Sequence, residues 1–160
     1  MKELKFTNKK MFIFGVSFGG LIAISLSLKL SDISGLILFS PLLDVSRHGT
    51  KFKEQDLNHL SNFVKKSYIN LYNIKFNNFL MQINSIKDLN YKIFSKNVSS
   101  PMLIFHSPND KSVSINYSLE LVNKNKNAKL LKHSLEHGIS EILLKKYWDK
   151  IDKFLMSNGK

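Results

Sequence analysis

The sequence predicts an α/β fold, with a mostly parallel sheet of about four strands and helices on its faces. Short apolar runs that suit buried strands alternate along the chain with segments whose apolar residues recur at helical spacing. The chain has 160 residues and is 43% apolar, which suffices for one domain with one sizeable core. A disordered chain is therefore a poor interpretation.

The first elements are predicted to be a strand, a turn, a helix and a second strand. Residues 11–14 form an apolar run that ends at a glycine, and residues 21–30 are apolar on nearly every side, as in a helix buried against a sheet. Residues 34–39 form the second buried strand. It ends at Ser40 and Pro41, because proline cannot continue a strand ladder.

The last third of the chain repeats this alternation. Residues 102–106 are predicted to be a third strand, residues 113–123 a helix and residues 128–132 a fourth, shorter strand. A final helix begins at about residue 140. Its core-facing stripe is predicted at helical spacing by Leu144, Trp148, Ile151 and Leu155.

Residues 44–98 have a different composition, rich in lysine, asparagine and aromatic residues with patches of helical spacing. They contain no proline and no glycine after Gly49, so a flexible linker is a poor interpretation. We interpret this segment as a helical insertion that lies over the core.

The formal net charge of +12 raises nucleic acid as a partner. Nearly all of this positive charge is lysine spread along the chain, and Arg47 is the only arginine, whereas phosphate and base recognition favour the guanidinium fork. We therefore expect no nucleic acid partner. The chain has no cysteine, which favours a reducing compartment and a cytoplasmic location.

A signal peptide or membrane anchor is the alternative interpretation of the N-terminal region. Four lysines precede the apolar run at residues 11–28, which is the outline of such a segment. Three glycines and three serines interrupt the run, and no small-residue cleavage site follows promptly. We expect no stable membrane insertion, with a lysine-rich anchored protein as the alternative.

Gly15-Val16-Ser17-Phe18-Gly19 fits the Gly-x-Ser-x-Gly nucleophile elbow and lies between a predicted strand and a predicted helix, where that motif belongs. The turn is sharp enough that a Cβ at either glycine is expected to collide with a neighbour, while Ser17 takes a strained backbone conformation. The N–H of Phe18 then points at a developing oxyanion. Three fixed positions also arise by chance, and adjacent glycines can simply allow close helix packing.

Together with later segments, these residues resemble the α/β-hydrolase superfamily, in particular its branch of monoacylglycerol lipases, carboxylesterases and serine aminopeptidases. The similar segments are residues 14–20, 35–41, 101–113 and 136–138. The resemblance covers nearly the whole chain but only the C-terminal half of the family fold. It implies a single partial domain over residues 1–160, with residues 44–98 as a lid insertion.

The resemblance implies a catalytic triad in the chain order Ser17, Asp110, His137. The turn before Asp110 keeps the family's histidine, His106, but has serine in place of its glycine. Asp44 is an alternative acid, since some members of the family place the acid after the preceding strand. The structural interpretation of His106 is support for the turn around the acid, and His133 is interpreted as a surface or loop residue.

The function implied is hydrolysis of carboxylic esters, such as acylglycerols or other small lipophilic esters, through an acyl-serine intermediate. Amide or peptide hydrolysis by the same triad is an alternative. No clustered metal ligands and no phosphate-binding glycine loop occur in the sequence, so neither a metal nor a cofactor is expected.

Only ten residues precede the first predicted strand, whereas family members have several strands there and a loop that donates the second oxyanion N–H. Loss of one such donor costs about 10²–10³ in turnover. We therefore also expect a catalytically inert or partner-dependent fragment, whose exposed sheet edge pairs with a separate N-terminal half or with another copy of the chain.

Overall fold

A computed structural model describes residues 10–44 and 98–159, which form four strands and three helices. In chain order these are β1 (Met11–Val16), α1 (Gly19–Ser27), β2 (Ile33–Phe39), β3 (Met102–His106), α2 (Asn116–Lys124), β4 (Ala128–Lys132) and α3 (Glu141–Asn158). The predicted α/β class, with its parallel sheet of four strands, is confirmed for this part of the chain.

The described residues belong to a compact unit that comprises residues 1–43 and 91–160, apart from Asp44, which falls in a second unit of residues 44–90. Residues 45–97 lie outside the described part of the chain. The lid insertion predicted at residues 44–98 therefore stays a prediction.

The sheet has the strand order β1-β2-β3-β4, and every neighbouring pair is parallel. Its strands end nearly in register, since Val16 pairs with Phe39 and Phe39 with Phe105. Residues that follow these strands consequently lie along one edge of the sheet. In an open parallel sheet this carboxyl edge is where ligands bind.

The two central strands carry the core. All five residues of β3 and six of the seven of β2 are buried, as continuous apolar runs in a parallel sheet require. The rings of Phe39 and Phe105 stack with centroids 5.0 Å apart. Helix α3 covers this face of the sheet and adds Leu143 and Ile151 to the same cluster.

Helix α3 faces the sheet largely through the predicted stripe. Ile151 is buried, and Leu144 and Leu155 pack against the core cluster, as predicted. Trp148, the fourth predicted residue, is 55% exposed, so the prediction is wrong at this position. The residues of α3 that contribute to the core besides the predicted ones are Leu143, Tyr147 and Phe154.

The described structure does not support the membrane-anchor interpretation. Residues 11–27 form β1, a turn and α1 rather than one unbroken helix. None of the described helices has both the length and the apolar character that crossing a membrane requires.

Candidate active site

The candidate nucleophile Ser17 stands on a sharp turn between β1 and α1. Its φ is +52°, a left-handed conformation that costs a residue with a side chain about 1–3 kcal/mol. Three backbone hydrogen bonds hold it there: the N–H of Ser17 donates to Phe39 O at 2.9 Å, and the carbonyl of Ser17 accepts from Gly20 and Leu42, each at 2.9 Å. The strain is therefore imposed by the strand and helix on either side.

The glycines around the turn have unequal roles. A Cβ at Gly15 would lie 2.6 Å from the carbonyl oxygen of Gly19, so glycine is required there, as expected. A Cβ at Gly19 would meet nothing within 4 Å, so the expected collision at this position is wrong. The second close approach is instead at Gly20, where a Cβ would lie 2.5 Å from Pro41 Cβ.

The start of α1 offers backbone donors beside Ser17. The helix begins at Gly19 with Phe18 as its N-cap residue, and no side chain caps it. The N–H of Phe18 has no acceptor within the helix, because the first N–H groups of a helix have no carbonyl one turn earlier. The predicted role of this N–H as an oxyanion donor stays a prediction.

Asp110 lies in the turn after β3, with its side chain fully buried. Its Oδ1 accepts hydrogen bonds from the backbone N–H groups of Ser112 and Val113, both at 2.9 Å. The second donor, Val113, was predicted to open the next helix, but α2 begins only at Asn116. Burial raises the pKa of Asp110, but hydrogen bonds from Val113, His137, Ser40 and Ser112 outweigh it and hold that pKa below its usual value.

His137 lies in the loop after β4, and its Nδ1 is 2.8 Å from Asp110 Oδ2. An ionised carboxylate only accepts hydrogen bonds, so Nδ1 carries the proton and Nε2 of the neutral ring is left as an acceptor. The imidazole is 28% exposed. This is the tautomer that a general base for a serine hydroxyl needs.

The His137 loop packs against the end of the strand that carries Ser17. A Cβ built on Gly138 would lie 3.6 Å from Val16 Cγ1, and Gly138 itself has a φ of +87°. Residues adjacent to Ser17 and to His137 therefore approach each other closely at the carboxyl edge of the sheet.

Ser40 is a site residue that sequence reasoning missed, because Ser40 and Pro41 were interpreted only as the exit from a strand. Its side chain is fully buried and its φ is +44°. The Ser40 hydroxyl donates to Asp110 and accepts from the N–H of Gly138 at 3.2 Å. It thereby ties the acid to the loop of the base, and a serine directly after a buried strand was the signal that could have found it.

Two further candidates are Asp44 and His133. Asp44, the alternative acid, is buried, but the Nδ1 proton of His137 goes to Asp110, which favours Asp110 as the acid. His133 lies in the loop directly after β4, as one of its two interpretations had it, but it is only 5% exposed and so is not a surface residue. Within the described part of the chain, no three His, Cys, Asp or Glu side chains gather closely enough to hold a metal ion.

Comparison with solved structures shows the fold. An esterase of Pyrococcus furiosus superposes with a TM-score of 0.66 at 16% identity, over 94% of this chain and 55% of its own. An esterase of Exiguobacterium antarcticum gives 0.70 at 16% identity, over 96% and 69%. A meta-cleavage product hydrolase of Pseudomonas fluorescens gives 0.61 at 17% identity, over 93% and 65%.

The chain thus spans about half the length of the Pyrococcus esterase. No curated protein matches the sequence significantly. The model of the family described as serine aminopeptidase, S33 matches residues 2–92, a stretch that contains Ser17 and ends before Asp110 and His137. The chain therefore belongs to the serine aminopeptidase S33 family and has the fold of the α/β hydrolases.

Proposed function

We propose that this protein is a serine hydrolase of carboxylic esters with lipophilic acyl groups, such as acylglycerols, acting through an acyl-Ser17 intermediate. One observation carries the proposal. The 2.8 Å hydrogen bond between Asp110 and His137 lies at the edge of the sheet where Ser17 is held at a positive φ. Residues with a purely structural role require neither a strained serine nor an aspartate–histidine hydrogen bond at the same sheet edge.

In the first half-reaction, Ser17 Oγ attacks the ester carbonyl carbon while Nε2 of His137 takes the hydroxyl proton. The carbonyl oxygen becomes an oxyanion that accepts from the N–H of Phe18. Asp110 holds the imidazole orientation and stabilises the imidazolium. When the tetrahedral intermediate collapses, the bond to the alcohol breaks and the imidazolium returns its proton to the departing alcohol.

In the second half-reaction, a water molecule attacks the acyl-serine ester while His137 Nε2 takes its proton. Collapse of this second intermediate releases the carboxylic acid and reprotonates Ser17. The buried carboxylate of Asp110 stays ionised throughout, since its hydrogen bonds hold its pKa below the usual value.

The names of the similar proteins favour different substrate bonds, an ester or an amide. Two of the solved structures are named esterases, which favours an ester substrate, whereas the family is named for a serine aminopeptidase, which favours an amide. The aromatic and lysine-rich segment at residues 44–98 is proposed as a lid over an acyl chain. The two activities are separated by comparing the rate of hydrolysis of an ester, p-nitrophenyl butyrate, with that of an amide, an aminoacyl p-nitroanilide.

A fluorophosphonate probe tests the proposal without a known substrate, because it reacts only with an activated serine. We expect labelling of the purified chain at Ser17, and complete loss of labelling in Ser17→Ala. Ser31→Ala is the matched control, since Ser31 is an exposed serine in the loop before β2. Labelling that persists in Ser17→Ala, or that is absent from the folded wild-type chain, would contradict the proposal for the chain alone.

A catalytically inert or partner-dependent subunit is the second candidate, and β1 favours it. This strand is entirely apolar, yet Phe14 is 52% and Val16 is 36% exposed. Such a strand suits pairing with a separate N-terminal half or with a second copy. Labelling that appears only above a threshold protein concentration would support a second copy.

The proposed cytoplasmic location rests on the cysteine-free composition alone.

A further inference from the structure

His106, the last residue of β3, is fully buried and has a partner on each ring nitrogen. Its Nδ1 lies 2.7 Å from Ser118 Oγ on α2, and its Nε2 lies 3.0 Å from the carbonyl oxygen of Val113. A buried imidazole with both nitrogens engaged is held in one orientation.

These partners also select one tautomer. A carbonyl oxygen can only accept a hydrogen bond, so Nε2 of His106 carries the proton that Val113 accepts. Nδ1 of the neutral ring is then an acceptor for the hydroxyl proton of Ser118. The ring therefore donates in one direction and accepts in the other, as a link between α2 and the loop after β3.

Val113 connects this link to the candidate acid. Its carbonyl accepts from His106, while its N–H donates to Oδ1 of Asp110 at 2.9 Å. The other carboxylate oxygen, Oδ2, lies 2.8 Å from Nδ1 of His137 and 3.4 Å from Nε2 of His106. The backbone of Val113 thus links His106, which it binds directly, to the carboxylate that binds His137.

We propose that His106 is a positioning residue: as a neutral ring held by Ser118, it fixes the Val113 peptide, which orients the Asp110 carboxylate toward His137. The inference rests on the proposed function of Asp110 and His137. It adds a residue that does not touch the substrate and acts only through the acid.

The neutral state of His106 matters because a second imidazolium would compete with His137 for Oδ2. Burial lowers the pKa of His106; the hydrogen bond to Val113 and the charge of Asp110 oppose this shift, and His137 adds to it. His133, at the end of the neighbouring strand, is a further titratable group near the ring. The balance lowers the pKa of His106 and favours its uncharged ring.

The test compares three variants of the full chain. His106→Phe keeps a ring of similar volume but removes both hydrogen bonds, and His106→Gln keeps an amide N–H that can reach the Val113 carbonyl. His133→Gln is the matched control, a buried histidine at the end of β4 whose nitrogens have no partner among the described residues. Each variant is first checked for cooperative unfolding.

Two measurements follow on each folded variant. The first is the rate of fluorophosphonate labelling at Ser17. The second is the NMR resonance of the His137 Nδ1 proton in a chain with ¹⁵N-labelled histidine, which reports the hydrogen bond to Asp110 whether or not the chain turns over. A chain that the probe never labels contradicts the proposed function, while the resonance still decides the role of His106.

We expect His106→Phe to slow labelling about tenfold or more and to broaden or shift the Nδ1 proton, because a misplaced acid no longer orients the base. His106→Gln should restore the resonance and bring labelling within about threefold of wild type. His133→Gln should match wild type in both.

An unchanged resonance in folded His106→Phe would overturn the proposal. A folded His106→Gln whose labelling rate and resonance are impaired as much as those of His106→Phe would overturn it too. If His106→Phe does not fold, Ser118→Ala replaces it, since this variant releases the ring while leaving it in place. Weakening of the His137 resonance in Ser118→Ala supports the proposal, and a resonance identical to wild type overturns it.

Discussion

The two outer strands of the described sheet, β1 and β4, both lead into the candidate site but are built differently. Strand β1 is apolar throughout and leaves Phe14 and Val16 exposed. Strand β4 is shorter and carries exposed Lys129 and Lys132, and the hydroxyl of Tyr147 donates to its last carbonyl, that of Lys132, at 3.2 Å.

Lysines at the outer strand of a sheet discourage pairing with another chain, and an apolar strand invites it. Strand β4 is therefore adapted to solvent, whereas β1 has the composition of an interior strand. The proposed acid and base follow β3 and β4, on the lysine-bearing side of the sheet, which we call the completed side. The proposed nucleophile lies at the end of β1, on the side that we expect another strand to cover.

The largest expected effect is on the reaction rate, and it comes from a change to Asp110 on the completed side of the sheet. Asp110→Asn should lower the rate of ester hydrolysis or probe labelling by about 10⁴-fold, because an amide cannot hold His137 in the required tautomer. The variant should fold. Asp32→Asn, an exposed carboxylate in the loop before β2, is the control and should leave the rate unchanged. Equal rates for Asp110→Asn and wild type would remove Asp110 from the triad.

The next effect is on the nucleophile side and compares two glycines. Gly15→Ala places a Cβ 2.6 Å from a backbone oxygen and should lower the free energy of unfolding by about 3 kcal/mol. Gly19→Ala meets no neighbour and should change it by less than about 1 kcal/mol, toward higher stability. Urea denaturation measures both. Similar losses in the two variants would mean that the turn is not as tight as described.

Self-association through β1 gives a smaller effect. Burying a phenylalanine contributes about 1.5–3 kcal/mol, so Phe14→Lys should raise the dissociation constant of any self-association about tenfold or more. Lys129→Glu on β4 is the control and should leave that constant unchanged. Light scattering over a range of concentrations provides the measurement. A wild-type chain that stays monomeric at every concentration would rule out a second copy as the partner of β1.

The smallest effect is a pH dependence confined to the completed side, since residues 1–44 contain no histidine. Burial, with His106 and Lys146 nearby, lowers the pKa of His133, while Asp110 opposes the shift. Between the lowered pKa of folded His133 and its ordinary value, the unfolded chain therefore binds a proton that the folded chain does not bind. Stability should fall as the pH drops below about 6.5, and His133 contributes at most about 1.4 kcal/mol per pH unit to this slope. Burial lowers the pKa of His106 as well, so His106 adds to the same fall.

His133→Gln removes the contribution of His133 and should make the stability curve less steep between about pH 6.5 and the lowered pKa of His133, while the contribution of His106 remains. Thermal unfolding at pH 7.5 and pH 5.5 provides the comparison. A difference between the two pH values that is as large in His133→Gln as in wild type would assign the dependence to another group.

The elements and their order were predictable because each depends on a local pattern. The bounds of β3 and β4 agree with the prediction, and a glycine-flanked serine between a strand and a helix marked the elbow. The acid and base were assigned through resemblance to a family. Their hydrogen bond joins residues 27 positions apart, which no local pattern specifies.

The sequence by itself determined the parallel sheet, the buried central strands and the residue types available at its carboxyl edge, because apolar periodicity and turn chemistry act within a few residues. The tertiary structure alone decided that Trp148 of α3 faces solvent, that glycine is required at 15 and 20 rather than 19, and that Ser40 lies between Asp110 and Gly138. Each of these depends on distances between segments far apart in the chain, and only packing sets such distances.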